Sequence, residues 1–380
     1  MLHVTLFSDA PTYGGAERYL EILATGFDRS EVAPTVVLST AGALDACAAR
    51  LSAAALPVLR LPAIPTLSEI RAFLRVFGSL AWRRPHVLHA NLVDPRACNA
   101  ALLAAKLAGL SCFVATEHLP HSPFDDGPVP LRHRLAMAYL RRRIVNNDFG
   151  RRALLARGLP EASIDLVDNG VPDPGSVSAA LRARARAALG GPDDDATTLI
   201  GLVARLEPQK RPELFFDAAA QVAAARPSTR FVVLGDGSLR AALEARVAAD
   251  PRLAGRVAFL GRRDDVMDLY PGLDLMVSTS SYEGQPFSLI EAGLREVPVV
   301  APDIPGAQEI VVPGDTGALG PEPASPEAFA AAILPFVDAP AARRRAGALA
   351  RLRMLTRFTP DAMVRATVAV YRRALGRAGR

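Results

Sequence analysis

Apolar residues along this chain fall into short runs separated by longer segments of helical period. In the first part the runs are HVTLF (3–7), PTVVLS (34–39), HVLHA (86–90), CFVAT (112–116) and IDLV (164–167). Short runs rich in β-branched and apolar residues predict strands, and the Ala-, Leu- and Arg-rich stretches between them predict helices. The alternation pauses at Asn169-Gly170 and the VPDPGS passage, then resumes with TTLIGLVA, RFVVLG, RVAFLG, DLMVST and VPVVAP. Strands that alternate with helices predict parallel, doubly wound sheets, here in two α/β domains. The boundaries fall at 1–172 and 173–358, with 359–380 a last helix returning toward the first domain. Pro326, Pro340 and Pro360 divide the tail, 324–378, into consecutive helices.

Composition narrows the class. The chain has 380 residues, half of them hydrophobic and 22% charged, which is enough for two cores and excludes disorder. MLHVTLFSDA lacks the basic region and cleavage site of a leader, and the most apolar stretch, 97–115, is broken by Asn99, Lys106 and Gly109. The expectation is a cytoplasmic protein that does not span a membrane. Cys47, Cys98 and Cys112 stand singly, as buried free thiols do, with no metal spacing. A net charge of +5 suits nucleic acid, an anionic membrane or an anionic small substrate; because the basic residues are spread along the chain, nucleic acid is not expected. Of 44 Lys and Arg residues only Lys106 and Lys210 are lysines. In SEIRAFLRVFGSLAWRR (68–84), Ile70, Phe73, Leu74, Phe77 and Leu80 recur at helical spacing with Arg71, Arg75, Arg83 and Arg84 near the edges. Such a stripe packs on a sheet or, as the weaker expectation, makes peripheral contact with the inner membrane face.

In doubly wound sheets ligands bind outside the carboxyl ends of the strands, so the loops after strands carry the chemistry. Gly14-Gly15 opens the first helix, as a tight turn or as a close approach to an anion. ARLEPQKRPEL places Arg205 and Lys210 before a helix with Pro212 in its first turn, either as a solvated basic loop or as two cations for a diphosphate. TEHLPH sets His118 at a strand end; a metal site with His121 lacks a third ligand. LGDGSLR has Arg240 where a third glycine would complete a dinucleotide fingerprint, which argues against an NAD enzyme. In SYEGQPFSLIEA, Pro286 is expected to open a helix whose N–H groups at Phe287, Ser288 and Leu289 form an anion site. Glu291 is then placed for a ribose diol and Glu283 for hydroxyls beyond the diphosphate. The spacing fits a nucleotide-sugar.

These segments resemble glycosyltransferase family 4. The similarity runs over nearly the whole chain through GGAER (14–18), TEH (116–118), NGV (169–171), ARLEPQK (204–210), GDG (235–237), EGQPFSLIE with its E-x7-E spacing, and PVVAPDIPGAQEIV (298–311). The resemblance implies two Rossmann-like domains facing across a cleft (GT-B) and sugar transfer from a nucleotide-sugar, a UDP-sugar by preference, with retention at the anomeric carbon. It implies that Arg205, Lys210 and Gly15 bind the diphosphate, Glu291 the ribose and Glu283 the donor sugar, with His118 over the reacting carbon. The acceptor is left unknown. Three positions depart from the pattern: Asn91 for a second histidine, Arg211 for a glycine, and IVNND for a Val-Ser, which leaves the acceptor side open. No cofactor and no metal are expected; the Asp-x-Asp match at Asp193 and Asp195 lies in a connection away from the ligand loops. The alternatives are a UDP-sugar epimerase of related fold and a non-catalytic nucleotide-sugar-binding protein.

Overall fold

The computed structural model describes residues 1–62, 70–94, 97–119, 131–192, 194 and 196–376. His121, Asp193 and Asp195 lie outside the described residues. The chain forms two compact units, Met1–Pro172 with Thr359–Arg380, and Asp173–Phe358.

The first unit is built on seven strands: β1 (Leu2–Ser8), β2 (Val32–Ser39), β3 (Val58–Leu61), β4 (Val87–Leu92), β5 (Phe113–Glu117), β6 (Arg142–Val145) and β7 (Ile164–Leu166). They lie in the order β3-β2-β1-β4-β5-β6-β7, every neighbouring pair parallel. The run-and-helix pattern misses β3 and β6. The reason is visible in β6: it opens with Arg142 and Arg143, whose guanidinium groups pair with Asp165 on β7 and Glu117 on β5 at 2.5 and 2.7 Å. Cross-strand ion pairs replace the apolar contacts that a sequence pattern looks for. Phe7, Val37, Leu88, Leu92, Leu102 and Phe113 fill one core of this unit.

The second unit has six strands: β8 (Thr198–Val203), β9 (Thr229–Leu234), β10 (Val257–Gly261), β11 (Leu275–Val277), β12 (Val299–Pro302) and β13 (Gly317–Gly320). Their order, β10-β9-β8-β11-β12-β13, is again parallel throughout. β13, GALG, has no β-branched residue and is also absent from the run pattern. Phe215, Phe216, Phe231, Phe329 and Ile333 form its core. Both sheets share the doubly wound order in which the chain reverses direction between the first and fourth strands, β1 and β4 or β8 and β11.

Prolines set the tail. The helices Pro326–Asp338, Pro340–Arg357 and Pro360–Ala374 each begin on proline, where the missing N–H has no partner to lose. Ser325 and Thr359 cap the first and last of these by accepting from Ala328 and Ala362 N–H. The last helix belongs to the first unit, against the helix Gly15–Gly26.

The helix Ile70–Arg83 corrects the stripe drawn from its sequence. Its buried face is Ala72, Val76 and Leu80, with Phe73 and Phe77 half-buried beside them. Ile70 and Leu74 point outward at 64% and 56% exposure, and Trp82 at 80%. Among the described residues no helix is long and apolar enough to cross a membrane.

Candidate functional site

In the second unit β8 and β11 are hydrogen-bonded neighbours, and the loops that leave their carboxyl ends, 204–211 and 278–286, are stitched together. Gln209 O accepts from Ser281 N–H at 2.8 Å and from the Ser281 hydroxyl at 3.0 Å, and Gln209 Nε2 donates to Tyr282 O at 2.9 Å. The Thr279 hydroxyl donates to Lys210 O at 2.7 Å. Arg211 completes the seam. Its Nε donates to Thr279 O at 2.7 Å, its Nη2 to Ser280 O at 3.0 Å, and the same group pairs with Glu322 at 2.5 Å. Its backbone is left-handed, φ 45°, which explains why glycine would suit the position. That conformation costs a non-glycine residue about 1–2 kcal/mol, and charge-assisted hydrogen bonds of about 1.5–3 kcal/mol each offset it. Arg211 therefore belongs to this loop seam.

Close backbone approach holds the seam in place. A Cβ on Gly235, φ 146°, would lie 1.8 Å from Ala204 O, and one on Gly306 would lie 2.2 Å from Gly284 O. The GDG and IPG turns thus press their backbones against the two loops, which no residue with a side chain allows.

On this frame Lys210 Nζ forms an ion pair with the Glu283 carboxylate, both side chains mostly shielded, at 17% and 12% exposure. Arg205 is exposed, with one 3.4 Å contact to Gln209 Oε1. The helix Phe287–Leu294 starts one residue later than the sequence suggests, with Pro286 as its cap in extended conformation. Leu289 N–H, expected to face an anion, makes a 3.3 Å contact with Pro286 O. Glu291, on the second turn of that helix, is buried and accepts from the Tyr270 hydroxyl at 3.2 Å. Lys210, Glu283, Arg205, Ser288 and Glu291 are thus gathered on two joined loops and one short helix.

The first unit holds His118 and Gly15. His118 follows β5 and is buried; its Nε2 meets Asn91 Oδ1 at 2.8 Å while Asn91 Nδ2 donates to Ala16 O at 3.0 Å. Because the amide nitrogen is committed as donor, the amide oxygen must accept, so His118 carries its proton on Nε2 and Nδ1 is an acceptor. The Tyr19 ring meets the His118 ring edge-on at 4.9 Å. Behind it His89 bonds the Tyr371 hydroxyl at 2.6 Å and the Thr116 hydroxyl at 2.8 Å, and Thr116 donates to the Tyr19 hydroxyl at 3.1 Å. Burial lowers both histidines to about 3, with His118 adding to the effect on His89. Gly15 is exposed at the start of its helix, where the Glu17 carboxylate already accepts from Gly14 N–H at 3.0 Å and from the Ser8 hydroxyl at 3.1 Å. Burial raises the Glu17 pKa, and also that of Asp9, which accepts from Cys98 N–H at 2.8 Å. The sequence reading missed Glu17, although an acid three residues into a helix is the mark of a capping box. It also gave no role to Thr116, although TEH contains it, or to Tyr19 and Tyr371, for which no local signal exists. In IVNND, Asn147 caps the helix Asp148–Ala156 by accepting from Gly150 N–H at 2.6 Å, the task a serine would perform.

Among the described residues no group of His, Cys, Asp and Glu is placed to hold a metal ion.

Two doubly wound sheets with charged loops at the switch point of the second define an α/β protein of the two-domain GT-B class. The chain belongs to the glycosyltransferases: residues 14–170 match the glycosyl transferase 4-like domain and residues 197–338 the glycosyl transferases group 1. It is 34% identical over 107 residues to the UDP-Gal:alpha-D-GlcNAc-diphosphoundecaprenol alpha-1,3-galactosyltransferase of Escherichia coli, covering 28% of each chain. It is 32% identical over 257 residues to the D-inositol 3-phosphate glycosyltransferase of Kineococcus radiotolerans, covering 62% of this chain and 57% of that one. The chain spans between about a fifth and somewhat over half of the length of the curated relatives it matches. The crystal structure of Anabaena Alr3699/HepE in complex with UDP and glucose has the same fold, with a TM-score of 0.82 at 22% identity over 97% of this chain and 98% of that one.

Proposed function

We propose that the chain transfers a sugar from a nucleoside diphosphate sugar, a UDP-sugar by preference, to a hydroxyl-bearing acceptor with retention of configuration. The observation that carries this reading is the Lys210–Glu283 pair held on the stitched loops beside the helix that bears Glu291. Lys210 has three donors, so one can stay with Glu283 while others bind the diphosphate. Arg205 and the N–H groups of Phe287, Ser288 and Leu289 add to the field on the leaving group. Glu291 takes the ribose hydroxyls and Glu283 those of the donor sugar. His118 of the first unit offers a neutral ring, able to accept a hydrogen bond from a sugar hydroxyl without adding charge. As the anomeric carbon parts from the diphosphate oxygen, negative charge grows on the leaving group, and fixed cations stabilise it. A divalent metal has no assigned part in this account.

The test is the binding of UDP and GDP, measured by calorimetry on the wild type, Lys210→Ala and Arg205→Ala. A loss of about tenfold or more in Lys210→Ala is expected. Unchanged affinity in both variants overturns the phosphate assignment, and release of an epimerised donor without acceptor would replace transfer by epimerisation.

The exposed face of the helix Ile70–Arg83 fits an anionic lipid surface. Ile70, Leu74 and Trp82 stand out beside Arg71 and Arg75, which have no carboxylate partner among the described residues. Trp82 is the single tryptophan and reports on this face. Vesicles of phosphatidylglycerol should shift its emission to the blue at low salt; no shift and no co-sedimentation would exclude the contact.

A further inference from the structure

Asn146 comes directly after β6 as His118 comes directly after β5. The register Thr116↔Ile144 and Glu117↔Val145 puts the two residues next in line on neighbouring strands, with backbones about 4.8 Å apart. Asn146 is 2% exposed, and its shielded Oδ1 accepts no hydrogen bond among the described residues. Buried side-chain oxygens are nearly always paired, so this one calls for a reason. Helix capping is not the reason, because Asn147 performs it. Nor does the nearest cation on its own strand serve it: Arg143 is directed to Glu117 Oε1 and Met137 O. Beside it, His118 has Nε2 committed to Asn91 and Nδ1 left as an acceptor. Two adjacent acceptors at a sheet's carboxyl edge complement a ligand that brings hydroxyl donors.

We propose that Asn146 and His118 form a hydroxyl-recognising subsite for a saccharide or polyol, with Asn146 Oδ1 accepting from a ligand hydroxyl. The inference rests on the reading of His118 given above and adds a residue and a chemistry to it. The hydroxyl belongs either to the donor sugar or to the acceptor.

The experiment compares the wild type with Asn146→Leu, which keeps the branched shape and removes the polar atoms. Without ligand, the variant should melt at the same temperature or about 2–4 °C higher, because an unpaired buried oxygen is gone. A lower melting temperature with unchanged affinities would mean that the oxygen is satisfied within the protein, and would overturn the proposal. UDP affinity should not move. If the donor sugar supplies the hydroxyl, the preference for UDP-glucose over UDP falls about tenfold. If the acceptor does, UDP-glucose binding holds and binding of methyl α-D-glucoside in the presence of UDP falls instead. Unchanged affinity for both probes overturns the subsite whatever the melting temperature does, and Asn146→Ala replaces the leucine variant should that fail to fold. A wild type that binds neither UDP nor GDP would defeat the transferase reading, while the melting and glucoside measurements still decide this one.

Discussion

At the carboxyl edge of the six-stranded sheet, Arg205, Lys210, Arg211, Glu283 and Glu322 form a seam of ion pairs and charge-assisted hydrogen bonds that water reaches in part. At the same edge of the seven-stranded sheet, His89, His118, Asn91, Thr116, Tyr19 and Tyr371 form a buried network of neutral groups. Strand order is shared between the two, so topology fixes only where a ligand can bind. Burial decides the chemistry. Cations that keep some water can meet a diphosphate, whereas a histidine stripped of water stays uncharged and can only exchange hydrogen bonds. The charged seam is also tied from loop to loop through carbonyl oxygens, and the neutral network is tied through side chains from four elements, two helices and two strands.

The comparison breaks most readily at Lys210. Lys210→Ala should lower turnover of a UDP-sugar by about 10² to 10³, since it removes a held cation and leaves Glu283 unpaired. Arg205→Ala, exposed and loosely held, should lower it only about tenfold. Equal losses in steady-state assays would mean that the ion pair does not set the difference.

The neutral network should be sensitive to acid. Both histidines are lowered from 6.5 to about 3, so between those values the unfolded chain binds more protons than the folded one. Their contribution is complete above pH 6.5 and is lost as pH falls toward 3. Between pH 6.5 and 5 the first unit should lose on the order of 3 kcal/mol for the pair, as read by urea unfolding through Trp82. His89→Gln should flatten that slope. Glu17 and Asp9, raised by burial, act with the opposite sign: their contribution is present at low pH and lost as pH rises past the ordinary carboxylate range. Stability that stays flat from pH 7 to 5 would show that the histidines are not kept neutral by burial.

Arg211→Gly separates strain from clasp. Glycine relieves the left-handed backbone, so the melting temperature should stay within about 2 °C, while loss of the bonds to Thr279 and Ser280 loosens the loop before Glu283. Turnover should fall about tenfold with little change in donor KM. A variant with full turnover would reduce Arg211 to a substitution that its own hydrogen bonds merely tolerate.

The smallest expected effect is none. Excess EDTA should leave turnover unchanged, because on the proposed reading the cations of the seam serve the leaving group in place of a metal. Loss on chelation, restored by magnesium or manganese, would call for a metal at the charged edge.

The sequence by itself determined the succession of strands and helices, the two halves of the chain, the proline starts of the last three helices and the loops where charge gathers. These depend on periodicity, turn residues and helix starts, which are read within a few residues of one another. It did not determine β6, where arginines stand in for apolar residues because their partners lie on other strands, or which face of the helix Ile70–Arg83 is buried, which the neighbouring helix and sheet select. Arg211 reads in sequence as an intruder at a glycine position, and only the carbonyls of residues 279 and 280, far along the chain, turn it into a clasp. His118 reads as a histidine that titrates near neutrality. Its low pKa comes from desolvation, with Tyr19 of the first helix and Asn91 of the fourth strand packed against the ring, and desolvation is a property of the folded surroundings.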